Sequence, residues 1–251
     1  MQEHRLFPPS PAFSAKAHIS SRQQYETLYR ESIDSPDTFW PRVAKELHWF
    51  KPWSKVLEWK EPQAQWFVGS QTNLAYNCLE RQIHRGLGDQ TAIIFEGEPL
   101  HDGKPEITRY SYKQLLEHVC KLANALKAMG VKKGDRVTIY MPMIPEAAMA
   151  MLACARIGAA HSVIFGGFSS QAIADRVEDA KSDFLITADG GFRRGTTVNL
   201  KATVDDALKV TSRIRQVLVL KRTGQPIAMQ TGRDVWWHET VPNQSATCPA
   251  E

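Results

Sequence analysis

The chain has 251 residues, 43% of them hydrophobic and 23% charged, and its 31 Lys and Arg against 27 Asp and Glu leave a net charge of +4. At about 150 residues per domain this is one large domain or a domain with an extension, and its apolar content excludes disordered and collagen-like chains. The four cysteines, Cys78, Cys120, Cys154 and Cys248, form no CxxC pair, so they suggest neither a zinc site nor a disulfide framework, and a reducing, cytoplasmic compartment is expected.

Residues 1–20 carry Glu3 and His4 early and Pro8, Pro9 and Pro11 where a signal peptide would be apolar, so they read as a flexible leader. The longest apolar-rich run, Ala147 to Ala155, is closed by Arg156 and falls short of the ~18 residues of a membrane span, so no membrane partner is expected. Tyr25, Leu28, Tyr29 and Ser32 follow helical spacing, and Ser35-Pro36 reads as the cap and first position of a second helix bearing Phe39, Trp40, Val43 and Leu47. Five tryptophans, Trp40, Trp49, Trp53, Trp59 and Trp66, are interleaved with Pro41, Pro52 and Pro62. Tryptophans among lysines could stack on nucleic-acid bases, but Glu46, Glu58 and Glu61 dilute the charge. Packing is therefore the favoured reading, and no nucleic-acid partner is expected. Asn77 to His84 is predicted to open a helix with Leu79 and Ile83 on one side.

After Asp89 the character changes. Thr91 to Phe95 and Ile107 to Tyr110, joined by the loop Glu96 to Lys104, predict a hairpin. Ser111 caps a helix whose Leu115, Leu116, Val119, Leu122, Ala123, Leu126 and Met129 share a face, with Gly130 at its C-terminal cap. Strands at Val137–Tyr140, His161–Phe165, Phe184–Thr187 and Val217–Leu220 alternate with helices at Pro145–Arg156, Ser169–Ala180 and Leu200–Val210. That order predicts a doubly wound, mostly parallel sheet of α/β class, following a helical, aromatic-rich N-terminal extension. The expected organisation is a leader at 1–20, the extension at 21–89 and a partial α/β subdomain at 90–251. Val217–Leu220 is expected to border an uncovered edge.

Ligands of open parallel sheets bind beyond the carboxyl ends of the strands. The first exit, Met141 to Pro145, is a rigid, donor-poor turn suited to shaping the edge. The second, Phe165-Gly166-Gly167-Phe168, lets backbone approach a ligand closely and opens a helix at Ser169. The third runs through Arg193, Arg194, Gly195 and Thr196. Glycines on one wall and guanidinium groups on the other fit a phosphorylated ligand, although a tight turn and a solvated arginine pair remain the alternative. Gly190 to Thr197 has the outline of a phosphate loop, but Thr196 stands where the lysine belongs, so that reading is rejected, and no GxGxxG occurs. His161 reads as a hydrogen-bonded core histidine and Cys154 as a packed small hydrophobe.

Long ordered segments carry a family resemblance: Ser35-Pro-Asp-Thr-Phe-Trp40, Asn73-Leu-Ala-Tyr-Asn-Cys78, Gly130-Val-Lys-Lys-Gly-Asp-Arg-Val137, Tyr140-Met-Pro-Met-Ile-Pro-Glu-Ala147, His161-Ser-Val-Ile-Phe-Gly-Gly-Phe-Ser169 and Ile186-Thr-Ala-Asp-Gly-Gly191. From about Tyr25 to Leu220 the chain resembles the N-terminal portion of the AMP-forming acetyl-coenzyme A synthetases, the acetate–CoA ligases of the acyl-adenylate-forming superfamily. The resemblance implies ATP, acetate and coenzyme A as substrates, AMP and pyrophosphate as products, and Mg2+ as the metal. By position it implies that Phe165, Gly166, Gly167, Arg193, Arg194, Gly195 and Thr196 lie along the CoA nucleotide. Several relatives carry a basic residue where this chain has Thr196, which would loosen the grip on phosphate or pass it to Arg194.

The lysine-bearing phosphate loop, the acyl pocket, the adenine-binding segment and the catalytic lysine of such enzymes have no counterpart in these 251 residues. Thr240 to Glu251 resembles the linker before the phosphate loop. The ATP and Mg2+ sites, and any catalytic residue, are therefore expected outside this sequence, and the chain alone is expected to be inactive. A propionate–CoA ligase and a non-catalytic CoA-binding module are the alternatives. The sequence fixes no oligomeric state.

Overall fold

The computed structural model describes residues 5–101 and 103–251, so Met1 to His4 of the leader and Asp102 of the hairpin loop lie outside the described residues. The chain forms two units, one ending at Thr72 and one running from Asn73 to Glu251. Among the described residues no helix is long and apolar enough to cross a membrane.

In the first unit, α1 (Pro11–Ser14) is a single turn, and α2 (Arg22–Asp34) starts where the Ser21 hydroxyl accepts from the Gln24 amide. α3 (Pro36–Ala44) follows Ser35 as expected, although it ends before Leu47. An antiparallel hairpin of β1 (Lys55–Lys60) and β2 (Gln63–Val68), which periodicity did not reveal, presents Trp66 and Phe67. The rings pack on each other: Trp40 meets Trp66 at 5.7 Å, Trp49 meets Trp53 at 5.2 Å, and both of the latter meet Phe67. The packing expectation needs correcting in one respect. This is a layer of ring contacts and not a sealed core, since Trp59 is 66% exposed and Ala44 and Val56 are the fully buried apolar residues of the described part of this unit.

The second unit opens with α4 (Leu74–Cys78), capped by Asn73. A short turn α5 (Glu80–Gln82) and a wide turn at Ile83–Leu87 follow, so the helix expected over 77–84 starts earlier and breaks at Leu79. β3 (Thr91–His101) and β4 (Lys104–Ser111) form the expected hairpin. Ser111 and Gln114 then make a reciprocal capping box on α6 (Tyr112–Ala128), which buries Leu115, Val119, Leu122 and Leu126 and stops before Gly130 at φ +96°.

The alternating region follows the expected order closely: β5 (Arg136–Met141), α7 (Pro145–Arg156), β6 (Ala160–Phe165), α8 (Ser170–Ala180), β7 (Phe184–Ala188), the small strands β8 (Gly191–Arg193) and β9 (Thr196–Val198), α9 (Leu200–Ala207), β10 (Gln216–Leu220), β11 (Asp234–Trp236) and α10 (Trp237–Thr240). The sheet order is β11-β10-β7-β5-β6, parallel throughout. Val137, Ile139, Met141, Ile186 and Leu218 share a core with α6 and α7, while Tyr140, Ile164, Leu185, Val217 and Val219 share one with α8 and α9. Alternate strand residues thus serve opposite faces, as a doubly wound sheet requires.

Three expectations change. β10 does not border a bare edge, because β11 pairs with it through Val217 and Asp234, Leu218 and Val235, and Val219 and Trp236. The segment read as a linker is packed: Cys248 is buried, its carbonyl accepts from Arg156 Nε at 2.5 Å, and the Ser245 and Thr247 carbonyls accept from Asn124. His161 is half-buried on the edge strand β6 and outside both cores; burial lowers its pKa. Cys154 fits its expectation, with burial pushing its thiol up to about 12.

A buried charge network ties α9 to the sheet. Lys201 Nζ, fully buried, donates to Asp205 at 2.7 Å and Ala228 O at 3.0 Å and pairs with Asp234 at 2.9 Å, while Arg233 bridges the same two carboxylates. Burial pushes the Asp234 carboxyl up, but hydrogen bonds from Arg233, the Gln230 amide and Lys201, with the Lys201 charge, outweigh it and the net shift is downward. A lowered pKa contributes stability that is present above the unfolded value, about 3.9, and lost as pH falls through the folded value. Urea denaturation should therefore show stability falling steadily below about pH 4, with a weaker fall for Asp234→Asn measured against its own neutral-pH value.

Asn73 closes the second unit from the other side. Its Oδ1 accepts from the Tyr76 amide while Nδ2 donates to the carbonyls of Ala155, Arg156 and Glu251. Asn73→Ala removes a helix cap and the donor to those carbonyls, so it should cost about 2–3 kcal/mol in urea denaturation.

Candidate functional site

β7, β5 and β6 are parallel neighbours, so the segments leaving them meet at one end of the sheet. A cavity of about 390 Å³ lies there, with Met141 to Ile144, Phe165 and Gly166 on one side and Arg193, Phe192, Arg222 and Phe95 among the residues opposite. The Met141–Pro145 exit shapes its mouth, with Met143 83% exposed.

Of the residues singled out in the sequence, Phe165, Gly166 and Arg193 line this cavity. The Arg193 guanidinium stacks 5.2 Å above the Phe165 ring. Gly167 makes room for that stack: a Cβ there would stand 2.8 Å from Arg193 Nη1 and 2.9 Å from Phe165 Cε1. The glycine thus leaves space for the protein's own stack, since a Cβ there would make Arg193 and Phe165 shift. Arg194 and Gly195, at φ +52° and +74°, form the two-residue turn between β8 and β9, and the Thr196 hydroxyl donates to Arg193 O at 2.9 Å. The basic segment is a hairpin tip, which accords with rejecting a phosphate loop. Among the described residues neither Arg193 nor Arg194 is held in an ion pair.

Several residues that build the site carry no role predicted from the sequence, although Tyr140 and Asp189 fall within the family-like segments. Buried Tyr140 shares its hydroxyl proton between Gly166 O at 3.2 Å and Phe168 O at 3.1 Å, fixing the glycine turn from below. Asp189, fully buried just after β7, forms no ion pair among the described residues, although the Arg222 charge lies near enough to interact with it. Its carboxylate instead accepts from the backbone amides of Gly190, Arg222, Thr223 and Gly224, at distances of 2.7 to 3.2 Å. That holds the loop after β10 in place, and Arg222 reaches from it to pair bidentately with Glu106 of β4 at 2.9 and 2.6 Å. Arg222 also stacks between Phe95 and Phe192, at 5.5 and 5.4 Å. The hydrogen bonds Arg222 donates to Glu106 raise its pKa, so this guanidinium is charged but already paired.

Gly97 is the last piece. It is buried over the Arg222–Glu106 pair, where a Cβ would come within 2.6 Å of Glu106 Oε2. Its neighbours Glu96 and Glu98 line the cavity, and Glu98 Oε1 accepts from the Gly195 amide at 2.5 Å. Among the described residues the cleft therefore presents Arg193 as a cation outside any ion pair, with aromatic and thioether walls and the carboxylates of Glu96 and Glu98.

Comparison with known proteins gives two adjacent family matches: "AMP-binding enzyme" over residues 79–250 and "Acetyl-coenzyme A synthetase N-terminus" over residues 25–78. Acetyl-coenzyme A synthetase of Deinococcus radiodurans is 56% identical over 98% of this chain, and that of Rhodopirellula baltica 51% identical over 99%. The chain spans 37% of the length of each of these curated relatives. Among solved structures, acetoacetyl-CoA synthetase from Streptomyces lividans superposes with a TM-score of 0.80 at 28% identity, over 96% of this chain and 36% of that one.

If Asp189 organises the cleft as its hydrogen bonds indicate, Asp189→Ala strands several buried amides at once. It should cost on the order of 3 kcal/mol or more by urea denaturation. An Asp189→Ala chain as stable as wild type would show that the loop after β10 is held by other means.

Proposed function

The chain belongs to the AMP-binding enzyme family, and from that premise we propose that it supplies the coenzyme A nucleotide-binding wall of an AMP-forming acetate–CoA ligase. The observation that carries this reading is the Arg193 guanidinium, unpaired and stacked on Phe165 at the rim of the cavity. A guanidinium held by an aromatic face keeps its donors aimed outward, and a phosphate is the anion its geometry fits best. The Gly195 amide, on the adjoining turn, adds a backbone donor of the kind phosphate groups accept. Phe165, Gly166 and Gly167 adjoin the Arg193 guanidinium, with Arg194 in the turn itself and Thr196 just after it.

In the whole reaction acetate attacks ATP to give acetyl-adenylate and pyrophosphate, and the coenzyme A thiol then takes the acetyl group as AMP leaves. This chain's part would be to bind and orient the coenzyme so that its thiol arm extends from the cleft. No residue of this chain is assigned to ATP or Mg2+. Adenylyl transfer needs positioned charges around the phosphates, so the 251-residue chain by itself should release no pyrophosphate from ATP and acetate.

Calorimetry tests the binding role directly. Coenzyme A should bind weakly but measurably, dephospho-coenzyme A less well, and Arg193→Ala should weaken coenzyme A binding roughly tenfold, the loss of one charge-assisted contact. Equal affinity for both ligands, unaltered by Arg193→Ala, would remove the assignment.

A further inference from the structure

The Arg193–Thr196 hairpin tip already holds an anion of its own. In a two-residue turn with positive φ at both central positions, the amide of the second central residue points away from the ladder and needs an outside acceptor. Gly195 is that residue, and its acceptor is the Glu98 carboxylate at 2.5 Å, reaching from β3 across 97 positions of sequence. Glu98 is itself exposed and shares the cavity lining with Arg193. The contact is not an accident of a loose loop. Gly97 is pressed onto the Glu106–Arg222 pair, Arg222 is held by the amides gathered on Asp189, and Glu98 is the next residue along that anchored backbone.

We propose that Glu98 is an internal stand-in for a ligand phosphate, occupying the Gly195 amide until an incoming anion displaces it, and that it thereby sets how tightly the turn grips phosphate-bearing ligands. This deepens the coenzyme reading and rests on it for the identity of the natural ligand. The chemistry follows from the donor set. A backbone N–H beside a guanidinium favours a carboxylate or phosphate, so an unoccupied turn would be open to solvent anions. A tethered carboxylate fills the position without competing in concentration, and a ligand must bring more charge or more contacts than one carboxylate to replace it.

The test titrates inorganic pyrophosphate and, separately, coenzyme A into the 251-residue chain and its Glu98→Gln, Glu98→Ala and Glu96→Gln variants at one ionic strength, with circular dichroism confirming the fold. Glu98 is exposed, so its replacement spares the core. Both Glu98 variants should bind pyrophosphate about three- to tenfold more tightly than wild type, the worth of one displaced hydrogen bond. Glu96→Gln, which removes a cavity carboxylate that makes no such bond, should gain markedly less. Unchanged or weaker binding in the Glu98 variants would overturn the proposal, as would an equal gain in Glu96→Gln, or no pyrophosphate binding by any protein. If pyrophosphate gains as expected while coenzyme A binds to none of them, the role of Glu98 stands and the coenzyme reading fails.

Discussion

A buried carboxylate held by main-chain amides, Asp189, is the interaction on which the rest of the cleft depends. A charge of this kind is tolerated in a protein interior when hydrogen bonds replace its water, and Asp189 takes them from the main chain. The consequence is topological. Strands β7 and β10 are neighbours, so a carboxylate just beyond one that gathers the amides of the loop leaving the other ties the two exits into one corner. Arg222 stands on that corner. Through Glu106 it fixes the β3–β4 hairpin, which is not part of the main sheet, as the far wall of the cavity.

The second wall is organised by a neutral group. Tyr140 lies in the core shared with α8 and α9, yet its hydroxyl reaches the carbonyls on either side of Gly167. The glycine turn is thus held from the interior, which leaves its outer surface to Phe165, Phe168 and the arginines stacked on them, Arg193 and Arg176. One wall is set by charge and the other by a shared proton, and each is anchored to the strands, so the geometry of the rim follows from the register of β7, β5 and β6.

What could be read in the sequence was whatever has a short-range signature. The run from β5 to α9 was legible because apolar residues alternate with period 2 in strands and about 3.6 in helices, and because proline and serine mark where helices begin. The glycine turn and the arginine tip were legible for the same reason: both immediately follow such strands. Asp189 was not, although it lies between them, since its partners are 33 to 35 residues downstream and an aspartate before glycines reads as an ordinary turn residue. The same holds for Glu106 and Arg222, 116 positions apart. β11 escaped because three residues are too few to show a period, and β1 and β2 because tryptophans and prolines there masked the alternation.

The division of aromatic residues has an optical consequence. Five of the seven tryptophans lie in the first unit, several of them in mutual ring contact, and the other two, Trp236 and Trp237, sit at the far edge of the sheet around β11. The cavity is lined by phenylalanines and contains no tryptophan. A ligand settling between Phe165 and Arg193 would therefore touch no indole, and quenching of intrinsic emission by direct ring contact is not available as a readout of occupancy in this cleft.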